Sequence, residues 1–194
     1  RERIDELKIF CDEKLGKTVV ICNDSPGFLG NRVGVYAMQV AMTEAFELRL
    51  SVEEADAIFG RPMGIPKTGV FGLYDLIGID LMSDVLKSFI KELPQNDPFH
   101  KVGKELPLIK KLIESGYTGR KGKGGFFRIN KEKNQKILES LDYEKYTYHE
   151  SKKADLLLPD LMNIDHLLKR KDIYGKYAWN IIKKTILYAS ALVP

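Results

Sequence analysis

From Phe28 to Leu48 the sequence is apolar almost all the way round a helix, and no other feature restricts the fold as much. Gln39, Thr43 and Glu47 recur every four residues and give that helix one narrow polar stripe. A helix of this kind cannot lie on a surface. It has to be wrapped by other elements, so the chain is expected to be mainly α. Gly30 and Gly34, also four apart, leave a smooth strip where another backbone can approach. In front stands Asp24-Ser25-Pro26-Gly27, which reads as a helix start. Ser25 is placed to cap, and Pro26 suits the first helical position, where no N–H is needed.

The flanking segments supply the wrapping. Residues 1–17 have helical spacing, with Ile4, Leu7, Phe10 and Leu15 near one face, and Gly16 ends the pattern. Thr18–Asn23 is a short β-branched run that predicts a buried strand. A helix followed by such a strand is the last unit expected of an α/β sheet. Ser51 and Glu54 form a capping box for a helix ending at Gly60. After a Pro/Gly-rich loop, Val70–Ile77 reads as an apolar helix, and Asp80 as the cap of another running to about Leu93. Pro107 opens a helix closed by Gly116. A Gly/Lys loop, Tyr117–Gly125, then leads into a short strand at Phe126–Ile129. Beyond it, residues 131–142 read as a polar helix, 143–170 as a connector of weak structure with a short amphipathic helix over 160–169, and Asp172 onward as an apolar-rich helix. Both chain ends read as cuts through a longer protein.

The bulk properties exclude several functions. Charged residues make up 30% of the 194, yet the net charge is only +4, and the signs are mixed along the chain. That is not the profile of a dedicated nucleic-acid binder, although it accommodates an anionic ligand. The two cysteines, Cys11 and Cys22, form neither a CxxC pair nor a disulfide framework, which points to a reducing compartment. No run of 18 apolar residues occurs, so no membrane-spanning segment is expected.

Five groups of residues carry potential chemistry. Asn31, with Arg32, falls about one and a half turns inside the apolar helix, where an amide needs partners. It can hold a substrate carbonyl or hydroxyl oxygen, or it can satisfy neighbouring backbone. Arg120-Lys121-Gly122-Lys123-Gly124-Gly125 has the charge and flexibility to cradle phosphate. It matches neither a Walker loop nor G-x-G-x-x-G, and a solvated basic turn is the plainer reading. Asp75, Asp80 and Asp84 have no histidine or cysteine at metal-ligand spacing, so no metal site is expected. His100, His149 and His166 lie in separate segments and receive no role. Tyr143, Tyr146 and Tyr148 are read as packing residues, with base stacking the alternative.

Three motifs in order resemble the 3-hydroxyacyl-CoA dehydrogenase family. They are Asp24-Ser25-Pro26-Gly27-Phe28-Leu29-Gly30-Asn31-Arg32, the run from Gly64 to Asp80 (GIPKTGVFGLYDLIGID), and Gly119-Arg120-Lys121-Gly122-Lys123-Gly124-Gly125-Phe126-Phe127. The wording is closest to the long bacterial type fused to an enoyl-CoA hydratase. The resemblance implies a helical bundle like the 6-phosphogluconate dehydrogenase C-terminal domain, preceded by one helix-strand remnant of a Rossmann sheet. It divides the chain into residues 1–24 (that remnant), 25–130 (the helical domain), 131–176 (a connector) and 177–194 (the start of a second helical copy).

It further implies NAD as cofactor, acyl-CoA as substrate and a cytoplasmic enzyme of fatty-acid β-oxidation that pairs through the helical domain. Asn31 matches the family residue that orients the substrate, with Ser25 beside it as a second substrate-binding candidate. Lys121 matches the residue that reaches the nicotinamide cofactor. The family's Thr-Gly-Lys is replaced here by Gly122-Lys123-Gly124. The family's catalytic His–Glu pair and Rossmann glycines have no counterpart in this sequence, so this chain alone is expected to be inactive. The rival readings are a non-catalytic helical dimerisation module, a 3-hydroxybutyryl-CoA or sugar-acid dehydrogenase of the same architecture, and a basic nucleic-acid binder using Lys121, Lys123, Lys169, Arg170 and Lys171.

Overall fold

The computed structural model describes residues 2–130, 136–154, 156 and 163–193. Among them are eight α-helices and one three-stranded sheet. The helices are α1 Glu2–Leu15, α2 Gly30–Glu47, α3 Val52–Ile58, α4 Gly69–Ile77, α5 Ile79–Glu92, α6 Pro107–Glu114, α7 Ile164–Lys169 and α8 Ile173–Ala191. The strands are β1 Phe127–Asn130, β2 Ile137–Asp142 and β3 Thr147–Glu150, paired antiparallel in the order β1-β2-β3.

The apolar helix is α2, and it is the axis of the bundle. Val35, Tyr36, Met38, Val40, Ala41, Met42 and Ala45 are buried on it. Helix α8 runs along one side of it, and α3 and α4 pack on others. Gln39 is not on a solvent stripe: it is buried, and its amide Nε2 donates to the Tyr74 hydroxyl at 2.9 Å. Glu44, also buried, receives Lys184 Nζ at 2.5 Å and Asn180 Nδ2 at 2.6 Å, both from α8. A buried carboxylate needs such partners, and here they fix the register of α8 on α2. The Gly30/Gly34 strip faces open space within this chain, so no backbone uses it here.

The expected start of α2 is corrected. The chain turns at Ser25–Phe28, where the Phe28 N–H donates to the Ser25 carbonyl at 2.8 Å. Gly27 and Phe28 both take positive φ, which no helix continues, so α2 begins only at Gly30 and Ser25 does not cap it. Two other helix starts behave as read: Ser51 and Glu54 close a reciprocal capping box, and Pro107 sits at the first position of α6. At α8, Asp172 proves to be the cap, accepting from the Tyr174 and Gly175 N–H groups. Asp80 is an exception: it lies inside α5, whose first residue follows Gly78.

Two strand expectations also change. Among the described residues Thr18–Asn23 forms no strand and pairs with none, and it is exposed, with Val20 and Ile21 at 64% and 65%. A β-branched run is a strand only when a partner satisfies its backbone. The predicted helix over 131–142 is a strand where described, β2, and Tyr143–Ser151 is the return of a hairpin rather than a weakly structured connector. Part of the predicted 160–169 helix lies outside the described residues; the rest is α7. The hairpin belongs to the core. Ser140 is fully buried and donates to Glu53 on α3 at 2.5 Å, while the Tyr143 hydroxyl donates to the Leu50 carbonyl at 2.7 Å. Tyr143, Tyr146 and Tyr148 therefore serve packing, with Tyr146 seated under Lys111 on α6 and Tyr148 beside Tyr117.

Phe126 locks sheet to helices. It is fully buried, 4.6 Å from the Phe71 ring and 6.2 Å from the Tyr74 ring. Phe126→Ala is expected to cost about 3–5 kcal/mol, the range for emptying an aromatic core site. Urea unfolding measures it; a loss under about 1 kcal/mol refutes the sheet's place in the core.

Candidate functional site

The Asn-Arg pair divides into two unlike halves. Asn31 lies in the first turn of α2 and is exposed, not buried as its place in an apolar run suggests. The late helix start is the reason. Its amide is left facing outward with both donor and acceptor open. Arg32 is instead a structural node. Its guanidinium binds the Asp97 carboxylate and, through Nε at 2.9 Å, the Tyr188 hydroxyl of α8. That hydroxyl also donates to Asp97 Oδ1 at 3.1 Å, and the Tyr188 ring stacks on Tyr36 at 3.9 Å. Desolvation works against the Arg32 charge, but the Tyr188 and Asp97 contacts outweigh it and hold its pKa above the ordinary arginine value. Ser25, half-buried, contributes its carbonyl to the turn that sets where Asn31 points.

Lys121 sits at the tip of the Gly/Lys loop. Its Nζ is 2.8 Å from Asp80 Oδ1 at the start of α5, and its side chain crosses Gly78, where any Cβ would crowd it. The hydrogen bond from Lys121, more than any other influence, draws the Asp80 carboxyl below the usual carboxylate range. Asp80 thus steadies a lysine rather than capping a helix. Asn31 and Lys121 are not brought together. The turn before Asn31 packs against Phe89, near the far end of α5, since a Cβ at Gly27 would overlap that ring. Asp80 and Phe89 are nine residues apart, about 14 Å along the helix. The two candidates mark opposite ends of one helix, a span suited to an extended ligand.

The residue that fixes the Gly/Lys loop is Asp75, which the sequence reading grouped with Asp80 and Asp84 to no purpose. Its carboxylate is buried and accepts the Phe126 N–H at 2.9 Å and the Phe127 N–H at 2.7 Å. Its carbonyl accepts the Arg120 N–H at 2.9 Å. One residue therefore holds both ends of the loop that carries Lys121. A lone Asp inside the apolar run Val70–Ile77 was the available signal, because a carboxylate there must be bound by something. Asp56 does the same at the front of α4, accepting Phe71 and Gly72 N–H at 2.7 and 2.9 Å. Asp84 is exposed on α5 and pairs only with Lys87. The three histidines remain apart, and among the described residues no cluster of His, Cys, Asp or Glu suits a metal ion. No helix among them is long and apolar enough to cross a membrane.

The helical body thus presents an exposed amide near one end of α5 and a clamped basic loop at the other. Comparison with known families identifies the chain: the 3-hydroxyacyl-CoA dehydrogenase C-terminal domain matches residues 27–129, and the chain belongs to that family. It is 38% identical over its whole length to a putative fatty acid oxidation complex trifunctional enzyme of Rickettsia prowazekii, and 39% to that of Rickettsia felis, covering 26% of each. It is 28% identical over 96% of its length to a probable 3-hydroxyacyl-CoA dehydrogenase of Bacillus subtilis, covering 24% of that protein. The chain thus spans about a quarter of the length of these relatives.

Two predictions separate structure from function here. Arg32→Met leaves Asp97 buried without its cation and is expected to cost about 3 kcal/mol or more, whereas Asn31→Ala, at an exposed site, stays within about 0.5 kcal/mol. Equal losses in urea unfolding refute this division. The second concerns pH. Burial raises Asp56 to about 7 and Asp75 to about 6, against the lowering effect of the backbone N–H groups. The folded chain keeps protons that the unfolded chain has released, so stability falls as pH rises from about 4 to about 7. The urea midpoint is expected to drop between pH 5 and pH 7.5, and Asp56→Asn to flatten the drop; a midpoint that climbs over that interval refutes it.

Proposed function

We propose that this chain is the substrate side of an NAD-dependent L-3-hydroxyacyl-CoA dehydrogenase of fatty-acid β-oxidation, which converts (3S)-3-hydroxyacyl-CoA to 3-ketoacyl-CoA in the cytoplasm. The observation that carries this reading is the exposed, unpartnered Asn31 on a motif whose neighbouring arginine is fully engaged in structure. A polar side chain held in place by a rigid helix start, with its hydrogen-bonding capacity unspent, is suited to orient a substrate oxygen. Ser25 acts beside it through the turn. Supporting this, the family matches over residues 27–129 and the trifunctional relatives carry fatty acid oxidation in their names.

Lys121 fits a contact to the dinucleotide: its ammonium is half exposed, aimed by Asp80, and backed by Gly78, which has no side chain to intervene. NAD, when bound, supplies the hydride acceptor. What this chain supplies is a cation at one end of α5 and an amide at the other. A base is still required to take the hydroxyl proton, and none of the three histidines lies near Asn31 on the same element. We assign the base and the dinucleotide fold to a domain outside this chain. In the same reading, residues 1–24 are that domain's last unit, 25–130 the helical domain, 131–176 the connector, and 177–194 the opening of a second helical copy. Pairing of two copies through the helical domain belongs to this proposal too. A 3-hydroxybutyryl-CoA dehydrogenase shares the same site chemistry and differs only in acyl length.

The test uses the full-length protein that contains this chain. Asn31→Ala is expected to lower kcat/KM for 3-hydroxyacyl-CoA by about 10²-fold, the scale of one preorganised donor. Lys121→Met is expected to raise KM for NAD with little change in acyl-CoA binding. The 194-residue chain alone is expected to form no NADH. Unchanged kinetics for Asn31→Ala refute its role, and turnover by the isolated chain refutes the missing base.

A further inference from the structure

Beside the Gly/Lys loop, β1 borders a cavity of about 840 Å³ lined by Arg120, Lys123, Gly124, Phe127, Ile129 and Leu138. A second cavity of about 430 Å³, bounded by Lys67, Thr68, Lys152 and Lys153, shares Gly72, Arg120, Phe127 and Leu138 with it. The shared walls make the two one groove, each part of it within the size range of small-molecule sites.

Its electrostatics are one-sided. Among the described residues six cations line it (Lys67, Arg120, Lys123, Arg128, Lys152, Lys153) against three carboxylates (Glu53, Asp56, Asp75). The carboxylates are already engaged by protein donors. Asp75 takes the Phe126 and Phe127 N–H, Asp56 the Phe71 and Gly72 N–H, and Glu53 the Ser140 hydroxyl. Arg128 is matched by Glu139, and Lys123 reaches the Ser115 carbonyl. Lys67, Arg120, Lys152 and Lys153 have no ion-pair partner among the described residues, although Asp75 feels the Arg120 charge. The cross-strand pair Ile129 and Leu138, 47% and 46% exposed, also lines it. Four unspent cations in one groove with an exposed apolar pair call for a ligand that is anionic at one end and flat or apolar at the other.

We propose that this groove binds a phosphate-bearing organic ligand of the nucleotide class. Its phosphates contact Arg120, Lys67, Lys152 and Lys153, and its organic part lies on Phe127, Ile129 and Leu138. Neither Asn31 nor Lys121 lines either cavity, so the site stands or falls apart from the dehydrogenase reading.

The probes are ADP, coenzyme A and inorganic pyrophosphate, titrated calorimetrically into the 194-residue chain. One-to-one binding of ADP or coenzyme A is expected, and the tighter of the two names the source of the phosphate. The triple variant Arg120→Gln, Lys152→Gln, Lys153→Gln is expected to weaken it by about tenfold or more, since charge-assisted bonds to phosphate are lost. A control triple at exposed lysines elsewhere, Lys110→Gln, Lys176→Gln, Lys183→Gln, is expected to change it less than about twofold by screening alone. Leu138→Asn, at an exposed position, tests the apolar wall without touching the core and is expected to weaken binding several-fold. No saturable binding of either nucleotide overturns the proposal. So does equal weakening by the control triple, and so does pyrophosphate binding as tightly as ADP.

Discussion

The buried carboxylate of Asp75 is the contact on which the rest of the site depends. An ionised side chain away from water needs several donors, and Asp75 finds them in the backbone of Phe126 and Phe127. Those two residues are where the Gly/Lys loop becomes β1, so the charge on α4 determines where the sheet begins. The Asp75 carbonyl then takes the N–H of Arg120 at the other end of the loop. Gly119 can pass this close only because it has no side chain, and its φ of +98° is available to glycine. With both ends fixed, Lys121 at the tip has little freedom except in its own side chain. Asp80 removes most of that.

The same economy governs the Asn-Arg pair. Arg32 joins α2, the Asp97 turn and α8 in one network, so the helix start cannot drift. Asn31 precedes it and takes its position from it without sharing in the network. In the proposed role Asn31 must keep its polar atoms unspent, whereas a residue that builds the scaffold, like Arg32, must spend them. Adjacent positions on one helix allow both because they point about 100° apart round the axis.

Much of this was legible in the sequence wherever the signal was local. The capping box at Ser51–Glu54 and Pro107 at a first helical turn each depend on a few neighbouring residues, and each forms as read. The apolar run of α2 announced a central helix, and the three family motifs pointed to Asn31 and Lys121. What was not legible required knowledge of partners. Ile137–Asp142 has the composition of a polar helix, yet it pairs with Phe127–Asn130 because Ser140 and Leu141 find burial against α3 and Phe126. Thr18–Asn23 has the composition of a strand and pairs with none of the described residues. Asn31 read as buried because Phe28–Leu48 was taken as one helix. The left-handed turn at Gly27 and Phe28 moves the helix start and brings Asn31 to the surface. Asp75 was visible as a charge in an apolar run, but its donors lie some fifty residues away and no local pattern names them.

Helix α4 is therefore held by carboxylates in two different senses. Asp56 meets its N-terminal N–H groups, where the helix field favours negative charge, and yet burial still raises its pKa. Asp75, buried on α4 itself, bears a similar desolvation while holding a neighbouring element. The two buried acids, one on α3 and one on α4, are close enough that Asp75 is one of the influences that lift Asp56. A core assembled for stability alone has no need of this arrangement, because apolar residues of similar volume pack as well without the penalty. What the two carboxylates provide is position. They fix the backbone of α4 against the Gly/Lys loop on one side and α3 on the other, and the loop's cations are thereby presented on both sides of it: Lys121 toward α5, and Arg120 toward the groove along β1.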